Sequence, residues 1–398
     1  MPGQLLSLVW PHDPTAHAPP SYRRACQYRP FIPDTLSSLT LTLDSALAGI
    51  VSEAEHALHA LNARGAALAP LARLLLRTES IASSRIEQLE MGVRELARAE
   101  ARWEAGVPAG PTAREILANI DAMVLAIDEA SQVDRVSVHE ITSIHARLME
   151  GGPQRRIAGR IRHLQNWIGG NDYTPCGAAF VPPPPDELPR LLHDLCDAIN
   201  DDALPPLVQA ALVHAQFETI HPFDDGNGRT GRALIQVVLR KRGVAPDYLP
   251  PISVILASNK ERYIQGLTRF RGDDVNGWIE QFAIATARSA HLATAYLDAA
   301  LAQQERWRGM LASSAVAPRA GAAAWALIDI LVAHPIISAP VATAVTGRAK
   351  AAIYQAIEQL QVAGVLLPLT RGARNQAWEV EGMLALIERL ESGQLPAA

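Results

Sequence analysis

The chain has 398 residues, of which 48% are hydrophobic and 19% charged, with a formal net charge of −5. That length leaves room for two or three domains, the apolar fraction excludes extended disorder, and the acidic balance gives no global attraction to nucleic acid or a membrane surface. Three cysteines, Cys26, Cys176 and Cys196, are an odd number without metal-ligand spacing, so neither a disulfide framework nor a zinc site is indicated and a reducing, cytoplasmic compartment fits.

The first twenty residues carry Pro2, Pro11, Pro14, Pro19 and Pro20 and lack the basic-then-apolar layout of a secretory signal. From Leu41 to about Arg102 the pattern is helical, with Leu71, Leu74, Leu75 and Ala82 at helical spacing. Gly106 to Pro111 interrupts it. A second helical block runs from Thr112 to about Gly243, broken between Ile168 and Pro185, where Gly169, Gly170 and four consecutive prolines exclude helix and Ala179-Phe180-Val181 suits a short strand. Further helix is expected through Tyr263 and Trp278 to about Trp307.

From Ala322 the pattern becomes helix (Trp325 to Ala333), short helix (Ala339 to Val345), turn (Thr346-Gly347) and helix (Arg348 to Ala363). Two short strands follow, Val365 to Leu367 and Gln376 to Val380, separated by Arg371-Gly372-Ala373-Arg374. Apolar runs such as Leu74 to Leu76 and Ala322 to Ala333 fall short of the roughly 20 residues needed to span a bilayer, so no membrane partner is expected.

The most informative segment lies between two helices. Val208, Leu212 and Ala215 put an apolar stripe on the helix entering it, and Leu234, Val237 and Val238 do so on the helix leaving it. The loop reads His221-Pro-Phe-Asp-Asp-Gly-Asn-Gly-Arg-Thr-Gly-Arg232. Glycines at 226 and 228 open the helix start, where unpaired N–H groups and the positive dipole end face any anion. Arg229 and Arg232 are three apart and share a helix face. Asp225 offers the single carboxylate that suits Mg2+ shared with phosphates, and His221 is a base for an incoming hydroxyl. Taken singly, His221 and Phe223 would read as core residues and Gly-Asn-Gly as a helix-initiating turn. Together they make a phosphoryl-transfer site.

In order, these residues repeat the signature His-Pro-Phe-x-(Asp/Glu)-Gly-Asn-Gly-Arg-x-x-Arg, and the chain resembles the Fic family. The resemblance implies a mainly α fold: an N-terminal helical domain (1–105), a Fic-type helical core with a short β-hairpin flap (106–305) and a C-terminal winged helix-turn-helix (306–398). It implies a protein adenylyltransferase that moves AMP from ATP to a Ser, Thr or Tyr hydroxyl of a target protein or of itself. His221 would be the base and Asp225 the Mg2+ ligand. Gly226, Asn227, Gly228 and Arg229 would cradle the α- and β-phosphates, with Thr230 and Gly231 in the same ATP-binding stretch, and Arg232 would hold the γ-phosphate.

Upstream, Gly159-Arg160-Ile161-Arg162 and Gln165-Asn166-Trp167-Ile168-Gly169-Gly170 resemble the family's approach to its flap. Ile168, Gly169, Gly170, Phe180 and Val181 would align a target segment by strand addition. Tyr263 resembles an aromatic residue bordering the adenine. Ser83-Ser84-Arg85-Ile86-Glu87 resembles the inhibitory pattern (Ser/Thr)-x-x-x-Glu-(Gly/Asn), which implies that Glu87 would pair with Arg232 and block the γ-phosphate, and would also serve AMP removal, as the same glutamate does in some relatives. Gln88 departs from the pattern's Gly or Asn.

At the C-terminal module, Arg348, Lys350, Arg371 and Arg374 are the candidates for DNA phosphates, with protein docking or a homodimer favoured over DNA in this acidic chain. A nucleotide-sensing DNA-binding regulator is the alternative reading, and another nucleotide donor a third. Gly228 argues against γ-phosphate transfer, for which relatives carry lysine.

Overall fold

The computed structural model describes residues 3–63, 69–104, 107–369 and 376–396. The chain begins with strands β1 (Gly3–Leu5), β2 (Leu8–Trp10), β3 (Cys26–Tyr28) and β4 (Phe31–Pro33). Helices α1 (Ser45–Asn62), α2 (Ala69–Ile86), α3 (Val93–Glu104), α4 (Pro111–Leu125), α5 (Val138–Met149) and α6 (Leu188–Asn200) follow. Next come α7 (Pro206–Ile220), α8 (Asn227–Lys241), α9 (Ile252–Ser258), α10 (Lys260–Arg271) and α11 (Val275–Ala312). The C-terminal part holds α12 (Ala323–Leu331), β5 (Ile336–Ser338), α13 (Ala339–Thr346), α14 (Lys350–Val362), β6 (Leu366–Pro368), β7 (Ala377–Val380) and α15 (Met383–Glu391). The mainly α class expected from the sequence is what the structure has.

Contacts divide the chain into two compact units: Met1–His56, Asp121–Pro246 and Asn259–Ala285 in one, and Ala57–Ile120, Asp247–Ser258 and Thr286–Ala398 in the other. The first is built around α7. Where the sequence shows one apolar stripe, every residue from Leu207 to Phe217 is buried, so α7 is a central helix covered on all sides. Trp278 donates its indole N–H to the Ala211 carbonyl (2.8 Å), and the Asp194 carboxylate accepts from the Leu36 and Ser37 N–H groups (2.6 and 3.1 Å).

The Pro-rich start is not featureless. It forms two antiparallel pairs, β1 with β4 (Leu5 opposite Phe31) and β2 with β3 (Trp10 opposite Cys26). Strands of three residues are too short for an alternating pattern to show in the sequence. Cys26 and Cys176 are joined in a disulfide across 150 positions, which corrects the expectation that the cysteines stay unpaired. Such a separation leaves no spacing signal, and the cysteine count no longer argues for a reducing compartment. Cys196 alone is a free thiol, buried and pushed up to about 12 by that burial.

In the second unit, α2 is fixed by polar contacts in its interior. The Glu79 carboxylate accepts from the Ser253 N–H (2.8 Å) and hydroxyl (2.6 Å) at the start of α9. Asn119 donates to the Ser80 carbonyl (2.6 Å) and the Ser84 hydroxyl (3.0 Å). Ile81 packs with Leu96, Ala113 and Ile116. Arg85 reaches Glu391 on α15, bonding its carbonyl (2.7 Å) and carboxylate (3.2 Å). The C-terminal helices fall within a residue or two of their expected bounds, and β5 joins as a third strand in the order β5-β7-β6. Arg371 and Arg374, and likewise Gly106, lie outside the described residues. No helix among the described residues is long and apolar enough to cross a membrane.

Candidate active site

The loop begins where α7 ends. His221 is the C-cap of α7 in the left-handed region (φ 49, ψ 61), and its N–H donates to the Phe217 carbonyl (2.9 Å). That conformation, which histidine tolerates better than most residues, turns the chain sharply out of the helix. Phe223 is fully buried beneath the loop. Gly226 caps α8 at φ 75, and a Cβ there would sit 3.0 Å from Met149 Sδ and 3.3 Å from His145 Cδ2. Glycine is therefore required twice, by conformation and by space.

The Asn227 amide closes the loop on itself: its Oδ1 accepts from the Phe223 N–H (2.9 Å) and its Nδ2 donates to the Phe223 carbonyl (2.7 Å). The side chain shapes the turn, so an anion would meet the backbone N–H groups of the first turn of α8. Arg229 and Arg232 on that helix are 4% and 1% exposed. Asp225 has a side chain 45% exposed, with Oδ1 accepting from the Gly226 N–H (2.6 Å) and 3.9 Å from Arg229 Nη2. One accessible carboxylate beside a helix start fits a magnesium ion shared with a polyphosphate. Among the described residues there is no group of three or more His, Cys, Asp or Glu that could hold a metal by itself.

Three residues without an expected role hold the loop from behind. The Gly159 N–H donates to His145 Nδ1 (3.0 Å), so Nε2 carries the proton and donates to the Asp225 carbonyl (3.0 Å). Burial holds this imidazole neutral, pulled down to about 4. Arg162, 3% exposed, donates from Nε to the His221 carbonyl (2.9 Å), from Nη1 to Leu164 (3.0 Å) and from Nη2 to Pro183 (2.6 Å). Asn166 donates to the Phe223 carbonyl (3.0 Å) and, at 3.5 Å, to that of His221. Arg162 and Asn166 stood in recognisable strings of the sequence. His145, 80 positions from its partner, gave no such signal.

The segment read as a flap is a hairpin with one bridge. Ile168 and Phe180 exchange both backbone bonds (2.8 and 3.1 Å). Gly169 and Gly170 take φ of 72 and 82, and a Cβ on Gly170 would meet Ala178 Cα at 3.0 Å. Arg271 lies over the Phe180 ring (3.9 Å), and the Phe31 N–H of β4 donates to the carbonyl of buried Val181 (2.9 Å). A cleft of about 460 Å³ is lined by Leu164 and Trp167 on the approach to the flap, by Gly170 and Asp172 of the flap and by Asp224 of the loop.

Three of the residues expected at the nucleotide are buried. Tyr263 is 4% exposed, with its hydroxyl 2.8 Å from His214 Nε2 and its ring stacked on that imidazole. Gly231 faces α7, where a Cβ would stand 2.8 Å from Glu218 Oε1 and 2.9 Å from Phe217 Cδ1, so it allows the two helices to approach. Thr230 is fully buried. In the second unit Ser83 is buried, and Glu87 is an exposed residue just past the end of α2. Gln88 then takes φ 64, the left-handed conformation that the pattern's Gly or Asn would favour.

Residues 135–239 match the model of the Fic/DOC family and residues 50–128 that of the Fic/DOC family N-terminal region. The chain thus carries a Fic/DOC domain preceded by the N-terminal region of that family. Over 120 residues it is 33% identical to Protein adenylyltransferase fic-1 of Caenorhabditis elegans, covering 29% of this chain and 22% of that protein. Over 185 residues it is 29% identical to Protein adenylyltransferase Fic of Nematostella vectensis, covering 43% and 40%. The chain therefore spans between about a fifth and two fifths of these curated relatives. A crystal structure of a Fic family protein from Desulfovibrio desulfuricans G20 shares the fold, with a TM-score of 0.53 at 20% identity over 86% of this chain and 98% of that one.

Proposed function

We propose that this protein is a protein adenylyltransferase moving AMP from ATP to a Ser, Thr or Tyr hydroxyl of a protein target. The observation that carries the reading is the short turn that joins His221, at the end of α7, to the N-terminus of α8. In this reading the triphosphate lies against the first turn of α8, with Gly226 and Gly228 admitting its oxygens and Arg229 neutralising them. The target oxygen bonds to the α-phosphorus, its proton passes to the His221 imidazole, and the bond from the α-phosphorus to the bridging oxygen breaks to release pyrophosphate. Asp225 would hold magnesium, which supplies charge neutralisation on the phosphates. The flap pairs with the target backbone beside the cleft that ends at Asp224.

Glu87 acts as a restraint on Arg232 in this reading. Residues 306–398 form a winged-helix module used for protein docking or self-association. ATP labelled at the α-phosphate tests the whole. Label on protein should rise in Glu87→Gly and vanish in His221→Ala. Equal labelling in all three proteins removes the reading.

A further inference from the structure

We propose that Arg162 is a positioning residue whose guanidinium ties both stems of the flap to the backbone of His221, so that seating a target and placing the base become one event. The inference rests on the adenylyltransferase reading and adds how its two halves are joined. All four side-chain bonds of Arg162 end on backbone carbonyls: Leu164 before the flap, Pro183 after it, and Ile220 (3.4 Å) and His221 at the end of α7. Its own N–H donates to the Pro222 carbonyl (2.9 Å).

A buried cation bonded to no carboxylate is an expensive way to satisfy carbonyls. Burial pulls Arg162 down to about 10, with the charge of Asp224 opposing. Side-chain amides do the same task nearby, as Gln165 does for the Pro182 carbonyl (2.9 Å) and Asn166 for that of Phe223. What an amide lacks is reach. A planar fork with donors in three directions spans segments that no single amide can bridge.

His221 is the place where that reach matters. Its left-handed conformation sets where the imidazole points, and its carbonyl is held by Arg162 and by Asn166, both of which belong to the flap stem. Movement of either stem is therefore transmitted to the base. The nucleotide-facing N–H groups belong to α8 instead, so ATP binding and turnover should separate when Arg162 is changed.

The test uses the full chain, as wild type or Glu87→Gly, whichever labels more, with ATP labelled at the α-phosphate and with the chain itself and added lysate proteins as acceptors. Arg162→Lys keeps the charge but not the fork. It should lower the transfer rate at saturating ATP by about tenfold to a hundredfold, while the ATP Kd by calorimetry stays within about threefold and a cooperative melt persists. Asn166→Ala, which removes the second tie to the same carbonyl, should lower the rate about threefold at unchanged ATP affinity and decides the matter alone if Arg162→Lys does not fold. An unchanged rate, or rate and ATP capacity falling together with the folded fraction, overturns the positioning role while leaving the enzyme reading intact. No label from the parent, with ATP still bound, overturns the enzyme reading and this inference with it.

Discussion

The imidazole of His145 lies flat on the ring of Phe223, centroids 3.7 Å apart and planes 6° from parallel. Because the same imidazole accepts from the Gly159 N–H and donates to the Asp225 carbonyl, it fixes both the floor and the rim of the loop. His145→Ala should remove the stack and leave two buried backbone groups unpaired, lowering unfolding free energy by about 2–4 kcal/mol. Urea unfolding measures this, and a loss under about 0.5 kcal/mol would mean that the loop holds its own shape.

Gln88 occupies a left-handed position at the end of α2. A side chain there costs roughly 1–2 kcal/mol, which glycine avoids at the expense of a more flexible unfolded chain. Gln88→Gly is therefore expected to leave stability unchanged or raise it by up to about 1 kcal/mol, whereas Gln88→Val lowers it by about 1–2 kcal/mol. Thermal melts of the two variants should shift in this order, and the reverse order would refute the assigned conformation.

The Cys26–Cys176 bridge closes a loop of 150 positions. Chain entropy sets its contribution at no more than about 5 kcal/mol. Trp10 against Trp167 (5.8 Å) and Tyr22 stacked on Tyr173 (5.2 Å) tie the same two segments, so the flap should stay docked but loosen when the bridge is cut. Cys176→Ser, or reduction, should lower the melting temperature and speed amide exchange across residues 168–181. Mass spectrometry finding three free thiols in the untreated protein, rather than Cys196 alone, would remove the premise.

Acid should act oppositely on the two units. Burial, with Arg232 adding, pulls His214 from 6.5 to about 3. Between those values the unfolded chain holds a proton that the folded one does not, so its stabilisation is complete above 6.5 and lost as pH falls, about 2 kcal/mol of it by pH 5. Burial raises Glu391 from 4.5 to about 7, against the pull of Arg85 and Arg77. There the stabilisation is complete below 4.5 and is lost as pH rises through 7. Hydrogen exchange corrected for intrinsic rates should show α7 losing protection between pH 7 and pH 5 and α15 gaining it. Parallel changes in both would contradict the assigned burial of one group.

Two kinds of information separate cleanly here. The residues of the candidate site were legible as a group because they are contiguous: His221, Asp225, the Gly-Asn-Gly turn and the two arginines fall within twelve residues, and the helices on either side announce themselves by period. The bounds of α12, α13 and α14 followed from the same local rules, as did the two expected C-terminal strands. What holds those parts in place was not legible. His145 meets Asp225 across 80 positions, Arg162 meets His221 across 59, and Cys26 meets Cys176 across 150, separations at which neither period nor spacing survives. Even inside the loop, the inward turn of the Asn227 amide and the approach of Gly231 to α7 depend on which polar groups and which helix lie opposite, a competition that only the folded chain resolves.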